Sequence, residues 1–403
     1  MQFQKILTSR NILLIVIFAF STPCFSQTEK DIVKKTSEYV SNAKYETAYK
    51  YLDSLDPLNR NADIVLLKED IALNFYVETY NHQRFGLKDL GKTQKVNDIR
   101  GRTNGLVMHT FKINKVLDSL IKVYPNNFKL YKGLGDYYYE VHQKYGNDWL
   151  INERELLGLI EYNYRGALND KMGDFETNYR LGLTFETDGN YQAGIPYFLK
   201  AVQLNDSSAD AHYNLAYAFL NVNDTLNALR HSLSATKLYK DSSSKGDAAR
   251  MAGVVLGEMG KQKKAIEFME LSNTIAPNNY NTLKILIDMY LKVDNRKKER
   301  EVTDAFYQLG VDKPTIYNDL IDIYAGNAKQ KQLITFFQGQ LKQASGDMVQ
   351  LGSLYLSIGK LYMGNDKNLA LENLTKASEV FATVYKPENP VFKLIYDMMK
   401  SLK

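Results

Sequence analysis

The sequence predicts an all-α protein, an α-solenoid of stacked helix-turn-helix hairpins closed by a C-terminal capping helix. Three observations carry that expectation. Stretches of the chain match one another at a fixed offset. Each matching stretch holds two short segments with apolar residues at helical spacing. The final apolar-periodic segment has no successor to pack against, as the end of an array requires.

The repeat is clearest in the middle. Residues 175–206 match residues 209–240 at an offset of 34: Leu181 with Leu215, Gly182 with Ala216, Phe185 with Phe219, Gly189 with Asn223, Gly194 with Ala228, and Ala201 with Ala235. A third copy follows at an offset of 37, with Gly253, Leu256, Gly260, Ala265, Ile266, Ser272 and Ile275; its three added residues are expected in a loop at Asp241–Gly246. Leu181, Gly182 and Phe185 share one helical face, Gly189-Asn190 makes a turn, and Ile195, Phe198, Ala201 and Val202 share a face of the second helix. Gly182, Ala216 and Gly253, opposed by Ala201, Ala235 and Ser272, are small where two helices must approach closely. One hairpin cannot bury both of its faces, so neighbours must stack.

The other elements follow in chain order. Lys5 and Arg10 precede the apolar run Ile12–Phe20, whose nine residues rise about 14 Å as a helix against a hydrocarbon core of roughly 30 Å. With small residues next, 1–26 reads as a signal peptide cut between Ser26 and Gln27. Pro23 before Cys24 argues against a lipid anchor there, so a membrane would be met only through the signal peptide or a partner. Residues 27–110 read as degenerate helical repeats, with Tyr45–Ala48 and Leu52 as a second helix and 81–106 as a long loop. Residues 111–171 read as an extended repeat, with Tyr131, Leu134, Gly135 and Tyr138 facing Ile160, Tyr164 and Ala167 across an insertion at 141–155 that holds Trp149. Residues 172–277 carry the three well-formed copies and 278–386 weaker ones. In 387–403, Val391, Phe392, Leu394, Ile395, Met398, Met399 and Leu402 form the apolar face of the cap.

This arrangement resembles the tetratricopeptide repeat: aliphatic–small in the first helix, an aromatic or leucine three or four residues later, a glycine turn, small residues in the second helix, and a terminal proline such as Pro277. Pro196, early in a second helix, is a mild departure that removes one donor. The resemblance implies a helical array that binds other macromolecules. Some family members clamp a chaperone's C-terminal carboxylate with set lysines, asparagines and an arginine. Tyr179, Leu183, Asp247 and Met251 stand at four of those positions and only Asn214 fits, so that activity is not implied.

Composition narrows the function classes. The formal charge is +5, and removal of Lys5 and Arg10 lowers it by two to +3, too little for a nucleic-acid-coating polycation. Cys24 is the single cysteine, which excludes an internal disulfide framework and a thiolate zinc site. His82, His109, His142, His212 and His231 have no metal-ligand spacing, and His212 reads as a surface or groove residue. Gly86–Thr93 matches a phosphate-loop pattern, but Asp89 would put a negative charge into the cradle and a helix rather than a strand is expected before it. No cofactor, metal or catalytic constellation is expected.

In such an array the first helices line the concave side. The residues free there are expected to be Tyr179, Arg180, Tyr213, Asn214, Tyr217, Asn221, Arg250 and Met251, a mixture suited to recognition. The reading is a secreted or periplasmic scaffold, non-enzymatic, binding a protein or peptide there. The alternative is an exported carbohydrate-binding helical protein of the outer-membrane glycan-capture type, using Tyr137, Tyr138, Tyr139 and Trp149.

Overall fold

Helices begin where the sequence supplies a side-chain cap and turn back where it supplies a left-handed residue. Asp174, Ser208, Asp224, Asp241, Asn279 and Asp347 each accept a first-turn N–H of the helix that follows. Gly189, Asn223, Gly260, Asp294 and Ala328 all have positive φ, at successive spacings of 34, 37, 34 and 34 residues. After each, the next N–H closes back onto the carbonyl five residues earlier: Asn190 onto Phe185, Asp224 onto Phe219, Lys261 onto Leu256, Asn295 onto Tyr290 and Lys329 onto Tyr324, at 2.8–3.0 Å. This closure satisfies carbonyls that the helix end leaves free. The period in the sequence is therefore a period in backbone geometry.

A computed structural model describes residues 28–91, 93–102, 105–168, 173–344 and 346–402. The expected signal peptide, its Ser26–Gln27 junction and Cys24 lie outside the described residues. The chain divides into two units, 1–167 and 168–403.

The first unit contains α1 (Glu29–Ser41), α2 (Tyr45–Leu55), α3 (Ala62–Phe75), β1 (Glu78–Tyr80), β2 (Arg84–Gly86), α4 (Val96–Ile99), β3 (Met108–Thr110), α5 (Ile113–Val123), α6 (Phe128–Tyr145) and α7 (Glu153–Leu168). Thr28 and Asp31 form a reciprocal capping box at the start of α1. In α6 and α7 small residues meet rings, as hairpin packing demands: a Cβ on Gly135 would lie 2.7 Å from the Tyr164 ring, and one on Gly166 would lie 2.6 Å from the Tyr131 ring. The stretch 81–106 differs from the expected long loop. It contributes β2 and α4, and β2 is the centre of a three-stranded antiparallel sheet ordered β1-β2-β3. The sheet closes over Phe85 and His82, both fully buried.

The second unit is a run of six hairpins and an end helix. They are α8 (Phe175–Thr187) with α9 (Tyr191–Leu204), α10 (Ala209–Asn221) with α11 (Thr225–Leu238), α12 (Ser242–Glu258) with α13 (Gln262–Ile275), α14 (Tyr280–Lys292) with α15 (Arg296–Tyr307), α16 (Pro314–Gly326) with α17 (Gln330–Leu341), and α18 (Met348–Tyr362) with α19 (Lys367–Phe381), then α20 (Pro390–Ser401). Neighbouring hairpins share their apolar interior. Ile195 and Phe198 pack in one cluster with Leu215, Phe219 and Ala228 of the next hairpin and with Met251 and Val255 of the one after. The same happens from Leu283 through Phe306, Tyr324 and Phe337 to Leu361. At the end, Ile395 and Leu402 cover Leu374 and Phe381, while Leu394, expected on the cap's buried face, is 44% exposed. One further expectation is corrected. The three residues added in the third copy do not lie in a loop; Asp241 caps the N–H of Ser244 at 2.7 Å, and the insertion lengthens α12 by about a turn.

A tyrosine-lined helix row as candidate docking surface

The first helices α8, α10 and α12 lie side by side, with α10 touching both others. The residues expected to be free on this row divide into three groups. Tyr217 is the most open ring, 37% exposed, and meets Tyr191 edge-on at 5.7 Å. Asn221, also exposed, donates to the Tyr217 carbonyl at 2.9 Å.

Tyr179, Arg180, Tyr213, Asn214 and Arg250 are half-buried. Asn214 donates to the Tyr179 hydroxyl at 2.7 Å, tying α10 to α8. Tyr179 stacks on Phe175 at 5.5 Å. Arg180 pairs with Glu176 at 2.5 Å, and Arg250 with Asp247 at 3.0 Å. Tyr213 meets Tyr239 edge-on at 6.3 Å, and burial raises its pKa.

Met251 departs from the expectation. It is 5% exposed and packs in the shared interior with Phe198 and Val255. Counted at the offset of 37 it stands where Asn214 stands in the previous hairpin, on the seam between adjacent first helices. A polar residue at that seam bonds across it, whereas a methionine buries into it.

The residue that sequence reasoning missed is Glu186, which follows Tyr179 by seven positions on the same side of α8. Its Oε2 is buried and accepts no hydrogen bond. Burial pushes its pKa up to about 7. Arg250 shows the matching feature in the opposite sign, since its Nε is buried with no acceptor. Tyr213 is within electrostatic reach of Glu186, Asp247 and Arg250. Unpaired buried polar atoms are rare in folded proteins and are costly while they stay unpaired. An acid at the end of a helix reads as a solvated charge, which is why the sequence did not single out Glu186.

His212 is not a surface residue. It is 8% exposed and its Nδ1 lies 2.8 Å from Nδ1 of His231, with its Nε2 on the Asp206 carbonyl at 3.0 Å. With His212 Nε2–H donating to that carbonyl, one Nδ1 of the pair donates and the other accepts. Burial and the neighbouring His212 push the pKa of His231 down to about 4.

The aromatic group considered for sugar binding is also placed. Tyr137 is fully buried and Tyr138 nearly so. Trp149 packs edge-on against both, at 6.2 and 6.4 Å, and its Nε1–H donates to the Asn81 carbonyl at 3.2 Å. Tyr137 and Tyr138 are therefore core residues of the first unit, while Tyr139 and Trp149 are half-buried. In the phosphate-loop-like segment, Leu87 and Leu90 are core residues. Asp89 accepts from the Thr47 N–H at 3.1 Å and its hydroxyl at 2.6 Å, capping α2, so this carboxylate is committed to the fold. Lys92 lies outside the described residues. Among the described residues there is no His, Cys, Asp or Glu group arranged to hold a metal ion, and no helix long and apolar enough to cross a membrane.

Comparison with known proteins adds the following. Residues 175–208, which are α8, α9 and their turns, match the tetratricopeptide repeat family profile. Several solved structures are similar in fold. MamA is 21% identical, with 50% of this chain and 94% of that one covered and a TM-score of 0.37. YrrB, described as a tetratricopeptide protein with an unusual peptide-binding site, is 17% identical over 62% of this chain and 95% of its own, at 0.37. A tetratricopeptide repeat protein from Parabacteroides merdae is 15% identical over 68% and 98%, at 0.41. No curated protein matches the sequence. The profile match covers one hairpin, and the same turn geometry and small-residue seams carry through the neighbouring hairpins, so the second unit is an array of helical hairpins similar to the tetratricopeptide repeat.

Proposed function

We propose that this protein is an exported, non-catalytic scaffold that docks a segment of a protein partner across α8, α10 and α12. One observation carries the reading. Tyr217 and Asn221 stand exposed on a row of adjacent first helices whose half-buried residues are Tyr179, Arg180, Tyr213, Asn214 and Arg250. A polypeptide laid across the row brings N–H groups and carbonyls that the exposed Tyr217 hydroxyl and Asn221 amide can bond, and side chains that the tyrosine ring can cover. Tyrosine and arginine are also the residue types that dominate binding energy at interfaces. Tyr217→Ala and Arg250→Ala should each weaken capture of the partner from envelope extracts at least tenfold, with helicity by circular dichroism unchanged. Wild-type capture by both variants would remove the docking reading.

Export is supported by Lys5, Arg10 and the apolar run Ile12–Phe20. Mass spectrometry of the protein recovered from the envelope or the medium should show a chain beginning at Gln27. A chain recovered in the cytoplasm with Met1 retained would contradict export.

A further inference from the structure

At the far end of the second unit, residues of α16, α18, α19 and α20 line a half-open cavity of about 400 Å³. Its walls are mainly apolar: Tyr317, Leu356 and Phe381 are buried at its base, and Val391 and Leu394 stand on the α20 side. One cation enters this wall. Lys360, on α18, is half-buried, and its Nζ donates to Asn318 Oδ1 at 3.2 Å. Among the described residues no carboxylate lies within 4.0 Å of that ammonium; Asp322 of α16 acts on it only from a greater distance. Burial lowers the pKa of Lys360, the expected response of an ammonium taken from water without a counter-charge. Asp312, the one acid among the lining residues, is solvent-exposed.

An apolar cavity with a single incompletely neutralised cation fits a particular ligand. The apolar walls favour a hydrocarbon body, and the ammonium favours one negative head group that restores its charge in a low-dielectric setting. The volume sits at the small end of the range for ligand pockets, which suits a body of about ten carbons. We infer that this cavity binds a small amphipathic monocarboxylate, with the carboxylate on Lys360 and the chain between Leu356, Phe381, Val391 and Leu394. The cavity lies on other hairpins than the Tyr217 row, and its occupancy does not depend on the docking reading.

Calorimetric titration of the mature chain with decanoate tests the assignment, with decylamine and decan-1-ol as probes of the same length. Decanoate should bind one per chain, at least tenfold more tightly than either. Lys360→Met should weaken decanoate at least tenfold and leave decan-1-ol unchanged. Leu394→Glu, at an exposed position, should weaken decanoate through repulsion at the cavity wall, and it decides the matter if Lys360→Met fails to fold. Equal binding of decylamine, undiminished binding by the variants, or no heat at millimolar decanoate would overturn the assignment. So would a hexapeptide with a free C-terminal leucine that binds more tightly than decanoate, since the site would then belong to peptides.

Discussion

Phe198→Ala is expected to destabilise the second unit by about 4 kcal/mol, the range for emptying a buried phenylalanine site. Phe198 is fully buried and is the contact through which hairpins are joined: its ring fills the space over Gly182, and it packs with Leu215 and Phe219 of the next hairpin. The reverse change tests the same seam. A Cβ on Gly182 would lie 2.7 Å from Phe198 Cδ1, so Gly182→Leu overpacks the hairpin and should cost about 3 kcal/mol. The double variant should recover part of the loss, because the leucine occupies volume that the ring vacated. Urea unfolding followed by far-ultraviolet circular dichroism measures all three. Additive losses in the double variant would show that the two residues do not share one space.

The second large effect concerns the first unit. Lys68 is 1% exposed, with its Nζ on Asp53 Oδ1 at 2.6 Å and Asn59 Oδ1 at 2.7 Å, over the rings of Tyr49 and Phe111 at 5.3 and 5.2 Å. Removing the counter-charge leaves a cation in an apolar site, and Asp53→Ala should cost about 3 kcal/mol, the low end for a broken buried pair because Asp53 itself is half exposed. Lys68→Met removes the charge together with its desolvation and fits the same space, so it should cost less than about 1 kcal/mol. In the Lys68→Met background, Asp53→Ala should have almost no effect. Trp149, the single tryptophan, reports on this unit through its packing against Tyr137 and Tyr138, so fluorescence-detected unfolding gives the four stabilities of the cycle. A larger loss in Lys68→Met than in Asp53→Ala would mean that the lysine stabilises through its packing and hydrogen bonds rather than through its charge pair.

The hairpins were legible in the sequence because two of their requirements are local and repeat. A glycine or alanine must face a large residue of the partner helix, as Gly182 faces Phe198 and Gly359 faces Leu374, and a residue that tolerates positive φ must end the first helix. Ala328 shows how far this position is set by the fold, since it adopts φ +54 with no help from its side chain. The sheet was not legible. Its strands are three residues each, too short for alternation to show, and its pairing continues in long-range contacts such as the Phe111 N–H on the Gln83 carbonyl. The same limit applied to the row of first helices. Face assignment from one hairpin placed Tyr217 and Asn221 outward but could not separate the seam from the open face, and so misplaced Met251 and His212. Glu186 was missed because its environment is made by other helices, with Tyr191 of α9 and Tyr213 of α10 within its electrostatic reach, which no local pattern encodes.

Site-specific photo-crosslinking addresses the central claim most directly. A benzoyl-phenylalanine replaces Tyr217 on the first-helix row or Lys200 on the exposed side of α9, and crosslinks to the partner are formed in the intact envelope. Docking along the first helices predicts a discrete crosslinked product from position 217 and none from position 200. A product from position 200 alone would place the partner on the second helices and contradict the account.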